Sequence, residues 1–161
     1  MENKIAIQMD HIEKIDYEFD SSFMIGLEAQ KRNYEIFYYH PNDLFIDAGI
    51  VKAKGNYIEL FEEDNNYFKF LSEKIEINLV EFKFIFLRQD PPFNMHYITS
   101  TYLLDCLPKS TIVINNPTSV RNCTEKILPF KFKEFMPPTL ISQNIKDIKI
   151  FLDIHKDVIT K

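Results

Sequence analysis

Acidic side chains outnumber basic ones in this 161-residue chain, 24 to 19, and the net charge of -5 comes with no Lys/Arg cluster, which argues against nucleic acid or an anionic membrane as a partner. At 45% hydrophobic content the chain can build one domain with a proper core but not two large ones, and its Phe and Tyr residues, spread along the chain, read as core packing. With only Cys106 and Cys123, no Cys-x-x-Cys pair, no cationic leader and no run of about 18 apolar residues, the expectation is two reduced thiols in a cytoplasmic protein, neither exported nor membrane-spanning.

Residues 4–9 are short and continuously apolar and end in Asp10, the pattern of a buried parallel strand. Residues 11–19 are polar and acidic. Asp20, Ser21 and Ser22 then precede Phe23, Leu27 and Gln30, a spacing that puts these side chains on one helical face, with Asp20 or Ser21 as cap. The free N–H groups of such a helix start either bind an anion or are satisfied by the cap alone, and the residues leave both readings open. Asn33 is a reasonable helix stop before a second strand over residues 34–39, giving a right-handed βαβ unit. From 44 to 61, short alternating runs around Asp47-Ala48-Gly49 and Gly55-Asn56 predict hairpin turns in a small antiparallel excursion at a sheet edge. The acidic run Glu62-Glu63-Asp64-Asn65-Asn66 lacks the spacing of a calcium loop and reads as solvated surface, and residues 67–72 read as a short helical stretch.

Phe84-Ile85-Phe86-Leu87 runs into Arg88 and Asp90, and Pro91-Pro92 forbids continuation of a strand or helix. A buried strand thus ends in a charged, rigid loop. Ligands of open α/β sheets sit at the carboxyl ends of the strands, so this loop is a site candidate; the alternative is an Arg88–Asp90 ion pair that only braces a tight turn. A helix is expected over 95–107 with Ile98, Tyr102 and Leu103 on one face, then a strand over 110–115, then a helix begun by Pro117, on which Arg121 and Glu125 are spaced for a surface ion pair. Residues 139–141 read as extended, Ile145, Ile148, Phe151 and Leu152 mark an amphipathic helix, and residues 158–161 read as the start of a strand, so a larger protein is expected to continue beyond it. His11, His40, His96 and His155 lie far apart, in no metal motif, and read as surface or capping residues. With only Gly26, Gly49 and Gly55 there is no Gly-x-Gly-x-x-Gly, which excludes a dinucleotide-binding domain.

Several of these stretches together resemble the N-terminal part of bacterial glutathione synthetases: the opening Ile-Ala-Ile-Gln-Met-Asp, Asp20-Ser21-Ser22-Phe23 with Leu-Glu-Ala-Gln-Lys-Arg after it, Arg88-Gln89-Asp90-Pro91-Pro92-Phe93, the helix around Ile98 to Tyr102, and the block from Asn115 to Lys126. They occur in one order at compatible spacing over essentially the whole chain. The resemblance implies an α/β fold, a Rossmann-like, mainly parallel sheet flanked by helices (the pre-ATP-grasp domain), over residues 1-122. Residues 123-161 would then be a linker and the first elements of an ATP-grasp domain that is otherwise missing. It implies an ATP-dependent ligase that joins γ-glutamylcysteine to glycine through an acyl phosphate, with ATP and Mg2+ as cofactors in the complete enzyme and a homo-oligomer as a further partner.

By resemblance, Lys126 and Lys161 match the two lysines that contact ATP phosphates. Arg88 with the helix start at Ser21 and Ser22 becomes the candidate for the carboxylates of γ-glutamylcysteine, and Asp90 either orients Arg88 or meets the substrate's amino group. Cys123 lies in a matching block, but acyl-phosphate chemistry needs no thiol, and a small buried residue is the simpler account. The chain departs from the pattern at Gln89 and Asn116, where relatives usually carry a basic residue, and at Thr124, which replaces an asparagine. No glycine-rich ATP-grasp loop and no magnesium ligand set are present, so this chain alone is expected to be inactive, its other half coming in cis or as a separate chain. The alternative is a non-catalytic binding or regulatory module left by loss of that half.

Overall fold

The apolar run at the N-terminus forms a strand that is covered on both faces. In the computed structural model, which describes residues 3–63 and 66–160, the strands are β1 (Lys4–Gln8), β2 (Glu35–Tyr39), β3 (Leu44–Asp47), β4 (Ile50–Leu60), β5 (Phe68–Phe70), β6 (Ile75–Asn78), β7 (Phe84–Leu87) and β8 (Ile112–Ile114). Helices α1 (Ser21–Lys31), α2 (Met95–Asp105), α3 (Pro117–Asn122) and α4 (Ile145–His155) intervene. Ile5 and Ile7 pack with Phe23 and Leu27 of α1 in one core, while Ala6 packs in a second core that includes Leu104 of α2. Because successive side chains of a strand alternate faces, a strand sandwiched this way must be apolar on both faces at its centre, which is what Ile5-Ala6-Ile7 show, with the buried Gln8 as the polar exception at the strand end.

The sheet runs β3-β4-β2-β1-β7-β8, with β5 and β6 pairing on β4. Its central strands β2, β1, β7 and β8 are parallel, and the strands around β4 are antiparallel. The fold is therefore α/β, a mixed sheet with a parallel centre flanked by helices. The β3–β4 turn is the predicted hairpin: Ala48 and Gly49 both have positive φ, 48° and 81°, the geometry of a two-residue turn matched to strand twist.

Several expectations are corrected. Gly55 and Asn56 make no turn but lie inside the 11-residue β4. There β4 passes so close to β2 that a Cβ on Gly55 would overlap the Tyr38 carbonyl oxygen, so a glycine that reads as a turn signal is a close-approach residue. Residues 67–72 hold β5 and not a helix, because β4 offers Ile58 to Leu60 as a pairing edge. On α2 the buried residues are Ser100, Thr101 and Leu104, while Tyr102 is exposed. Thr101 can be buried because its hydroxyl bonds the Ile98 carbonyl at 2.6 Å and accepts from Arg121 at 3.0 Å. Arg121 pairs with Asp105 of α2 and lies 4.2 Å over the Tyr102 ring, tying α3 to α2. Cys123 is exposed, not buried, at the C-cap of α3. Residues 158–160 form no strand.

Helix α4 lies where the apolar spacing predicts it. The chain divides into two compact units, Met1–Cys123 and Thr124–Lys161. Among the described residues, no helix is long and apolar enough to cross a membrane.

Candidate functional site

After β1 the chain moves to β2 on one side and later returns to β7 on the other, so the strand order reverses between β1 and β7. A crevice opens at such a switch point, beyond the carboxyl ends of the two strands, because the following connections leave in opposite directions. The residues delivered there are Asp10 after β1 and Arg88, Gln89 and Asp90 after β7. The Arg88 N–H donates to the Gln8 carbonyl at 2.8 Å, extending the parallel ladder to the lip of the crevice.

On the α1 side the site is charged. Asp20 caps α1, its carboxylate accepting from the Phe23 N–H at 2.7 Å. With the cap supplied by Asp20, the hydroxyls of the next two residues are left to other partners. The Arg88 guanidinium donates to the Ser22 hydroxyl at 3.2 Å and to the Ser21 hydroxyl. A cation is thereby held at the positive end of a helix dipole, an arrangement with no benefit to the helix and a strong local attraction for an anion. Among the described residues no ion pair joins Arg88 to Asp90, so the turn brace weighed from the sequence does not form.

Asp90 instead sits against Asp10. The Asp90 N–H donates to the Asp10 carboxylate at 2.6 Å, and the other oxygen of Asp10 lies 3.9 Å from His40 Nε2. Burial, then the neighbouring Asp10 and Asp20 carboxylates, hold the Asp90 carboxyl above its ordinary 3.8, and Arg88 offsets part of this. His40 stacks on His11 with ring centroids 4.3 Å apart, and burial followed by the His11 charge lowers its pKa. The α1-side cleft measures about 530 Å³ and contains Asp10, Asp90, Arg88, Ser21 and Ser22 in its lining.

A second cleft of about 690 Å³ shares Asp10 and Asp90 but opens toward the first turn of α2, past Asn94 and Tyr97. Beside those carboxylates its wall is made of amides and a hydroxyl. Gln8, fully buried, donates to the Gln89 side-chain oxygen at 2.6 Å, and the Ser100 hydroxyl donates to the same oxygen at 2.8 Å. Among the described residues no Lys or Arg lines it.

The structure thus brings Ser21, Ser22 and Arg88 into contact and puts Asp90 in the same cleft. Lys126 lies in the second compact unit, where its ammonium bonds the adjacent Glu125 carboxylate. Lys161 lies outside the described residues. Among the described residues no three His, Cys, Asp or Glu side chains converge as a metal requires. Sequence reasoning missed Asp10 and His40 as site residues. Asp10 carried a usable signal, since it ends the first parallel strand, and the carboxyl ends of such strands are where the ligand crevice of an open α/β sheet lies.

The fold and cleft define an α/β domain with a mixed-charge crevice at its switch point. Its family is shown by sequence: a family model described as prokaryotic glutathione synthetase, N-terminal domain, matches residues 3–121, and the chain belongs to that family. It is similar to the glutathione synthetase of Brucella melitensis, 40% identical over 158 residues (98% of this chain and 50% of the relative). It is similar also to that of Mesorhizobium japonicum, 39% identical over 161 residues (100% and 51%), and to that of Buchnera aphidicola, 43% identical over 159 residues (98% and 49%). The chain spans about half the length of the curated relatives it matches.

Proposed function

We propose that this chain forms the peptide-binding part of a glutathione synthase, an ATP-dependent ligase that joins γ-L-glutamyl-L-cysteine to glycine. Its first 122 residues are the substrate domain, and residues 123-161 are a linker and the first elements of an ATP-grasp domain that supplies nucleotide chemistry from the same or another polypeptide. The observation that carries this reading is the Arg88 guanidinium at the start of α1, bonded to Ser21 and Ser22 in the switch-point cleft of a chain belonging to this family. A dipeptide carboxylate fits there, accepting from the guanidinium, from the outward-facing Ser21 hydroxyl and from the positive helix end.

A free carboxylate resists attack by an amine, and phosphorylation by ATP turns one of its oxygens into a leaving group that glycine's amine can displace. Within this scheme the chain's own task is to hold the dipeptide by one end. Lys126 is a point charge suited to a nucleotide phosphate, released from Glu125 when the phosphate arrives, and Lys161 is assigned the same role by family resemblance. Mg2+ is held chiefly by nucleotide phosphates with one or two carboxylates, which this reading assigns to the ATP-grasp domain, where it would neutralise charge on the transferred phosphate. These 161 residues by themselves are expected to bind dipeptide and to make no glutathione.

The test is calorimetric titration of the chain with γ-glutamylcysteine and, separately, with Mg-ATP. Heat from the dipeptide without heat from the nucleotide is expected. Nucleotide binding in the absence of any dipeptide binding would overturn the division of labour.

A further inference from the structure

Opposite charges that share a cleft ordinarily collapse onto one another. Here they are kept apart. Arg88 is turned toward α1 by two serine hydroxyls, Asp10 is fixed by the Asp90 N–H, and among the described residues no hydrogen-bond donor engages the Asp90 carboxylate. The cation and the carboxylate pair therefore line one cleft as separate poles, each anchored to scaffold from a different strand end or helix start. Preorganised poles of this kind match a ligand that carries both charges on neighbouring atoms, and the protein has already borne the cost of holding its own charges apart.

We infer that Asp10 is a specificity-determining residue that, together with Asp90, receives the α-ammonium group of the ligand while Arg88 and the start of α1 receive the α-carboxylate, so that the cleft reads a free amino-acid head. This rests on the proposed dipeptide reading and deepens it. In a γ-linked glutamyl peptide the α-ammonium and α-carboxylate stand free on one carbon. In an α-linked peptide that carboxylate is consumed in the amide, and the two charges no longer sit together. Asp10 thereby explains selection for the γ linkage as well as for the amine. Asp16 and Asp20 add to the negative pole and Lys14 lines the same cleft, but Asp20 is committed to capping α1.

The experiment compares the wild-type chain and Asp10→Asn for binding of γ-glutamylcysteine, N-glutarylcysteine, which lacks only the amine, and L-glutamate. The wild type is expected to prefer γ-glutamylcysteine over N-glutarylcysteine by roughly 10–100-fold, the range for a charge-assisted bond. Asp10→Asn keeps an oxygen to accept the Asp90 N–H, so it should lose most of that preference with little change for N-glutarylcysteine. Equal wild-type affinity for the two ligands overturns the inference without any variant. So does a variant in which the preference survives, or one in which both affinities fall together, as a purely structural role predicts. If the wild type ignores γ-glutamylcysteine but binds L-glutamate in an Asp10-dependent way, the head-group inference stands and the dipeptide reading falls. A wild type that binds none of the three overturns both.

Discussion

The two clefts at the switch point occupy equivalent positions, one toward the start of α1 and one toward the start of α2, and they share the Asp10–Asp90 wall. They are built from opposite chemistry. On the α1 side the strand-end residue is Arg88, held by hydroxyls; on the α2 side it is Gln89, held by Gln8 and Ser100. Adjacent residues of an extended chain point to opposite faces, so a single step in sequence separates a surface that carries a cation from one that carries a neutral amide beside the same carboxylates. The lesson is that topology supplies the crevice on both faces, while the side chain at each strand end decides whether that crevice offers a cation to an anionic group.

The contrast is broken most severely at Arg88. Arg88→Ala removes the only guanidinium that lines either cleft among the described residues and should weaken γ-glutamylcysteine binding by roughly 10–100-fold, as the loss of a charge-assisted hydrogen bond does, measured by calorimetry. Gln89→Ala should do the reverse. It strands the fully buried Gln8 amide, whose Oε1 already lacks a partner among the described residues, and should lower unfolding stability by about 1–3 kcal/mol in a denaturant titration while leaving dipeptide affinity unchanged. If Gln89→Ala weakens binding as much as Arg88→Ala, the clefts are not divided as described.

The smallest effect is a pH dependence at the shared wall. Asp90 has a raised folded-state pKa, so the native chain holds that proton more tightly than the unfolded chain does. The associated stability is fully present below the ordinary 3.8 and is lost as pH rises through the raised folded value. At neutral pH the Asp90 carboxylate therefore costs stability, and Asp90→Asn should raise the thermal midpoint slightly at pH 7, with the gain disappearing as the pH falls toward 4. A gain that grows on acidification contradicts this. The side chain is largely exposed, and solvent screening keeps the effect small.

Much of this arrangement was legible in the sequence because it is local. The run into Arg88, the Pro-Pro stop and the Asp-Ser-Ser start of α1 each announce themselves within a few residues. The joining of Asp10 to Asp90 was not, since the partners are 80 residues apart and meet only because β1 and β7 are neighbours. The errors in the fold have the same origin. β5 is three residues long and owes its conformation to the edge of β4, not to any periodicity of its own. Gly55 reads as a turn because glycine tolerates turns, whereas its actual constraint is the Tyr38 carbonyl of another strand. Thr101 is buried where a hydrophobic face was expected elsewhere, because hydrogen bonds within α2 and from Arg121 satisfy it.

The most direct measurement is a two-dimensional amide NMR titration of the chain with γ-glutamylcysteine. Binding in the charged cleft predicts that the largest shift changes fall on Ser21, Ser22, Arg88 and Asp90, with Asn94 to Ser100 of the α2 side little affected. Changes concentrated on Asn94 to Ser100, or an unperturbed Arg88 amid clear binding, would contradict the assignment of the α1-side cleft as the dipeptide site.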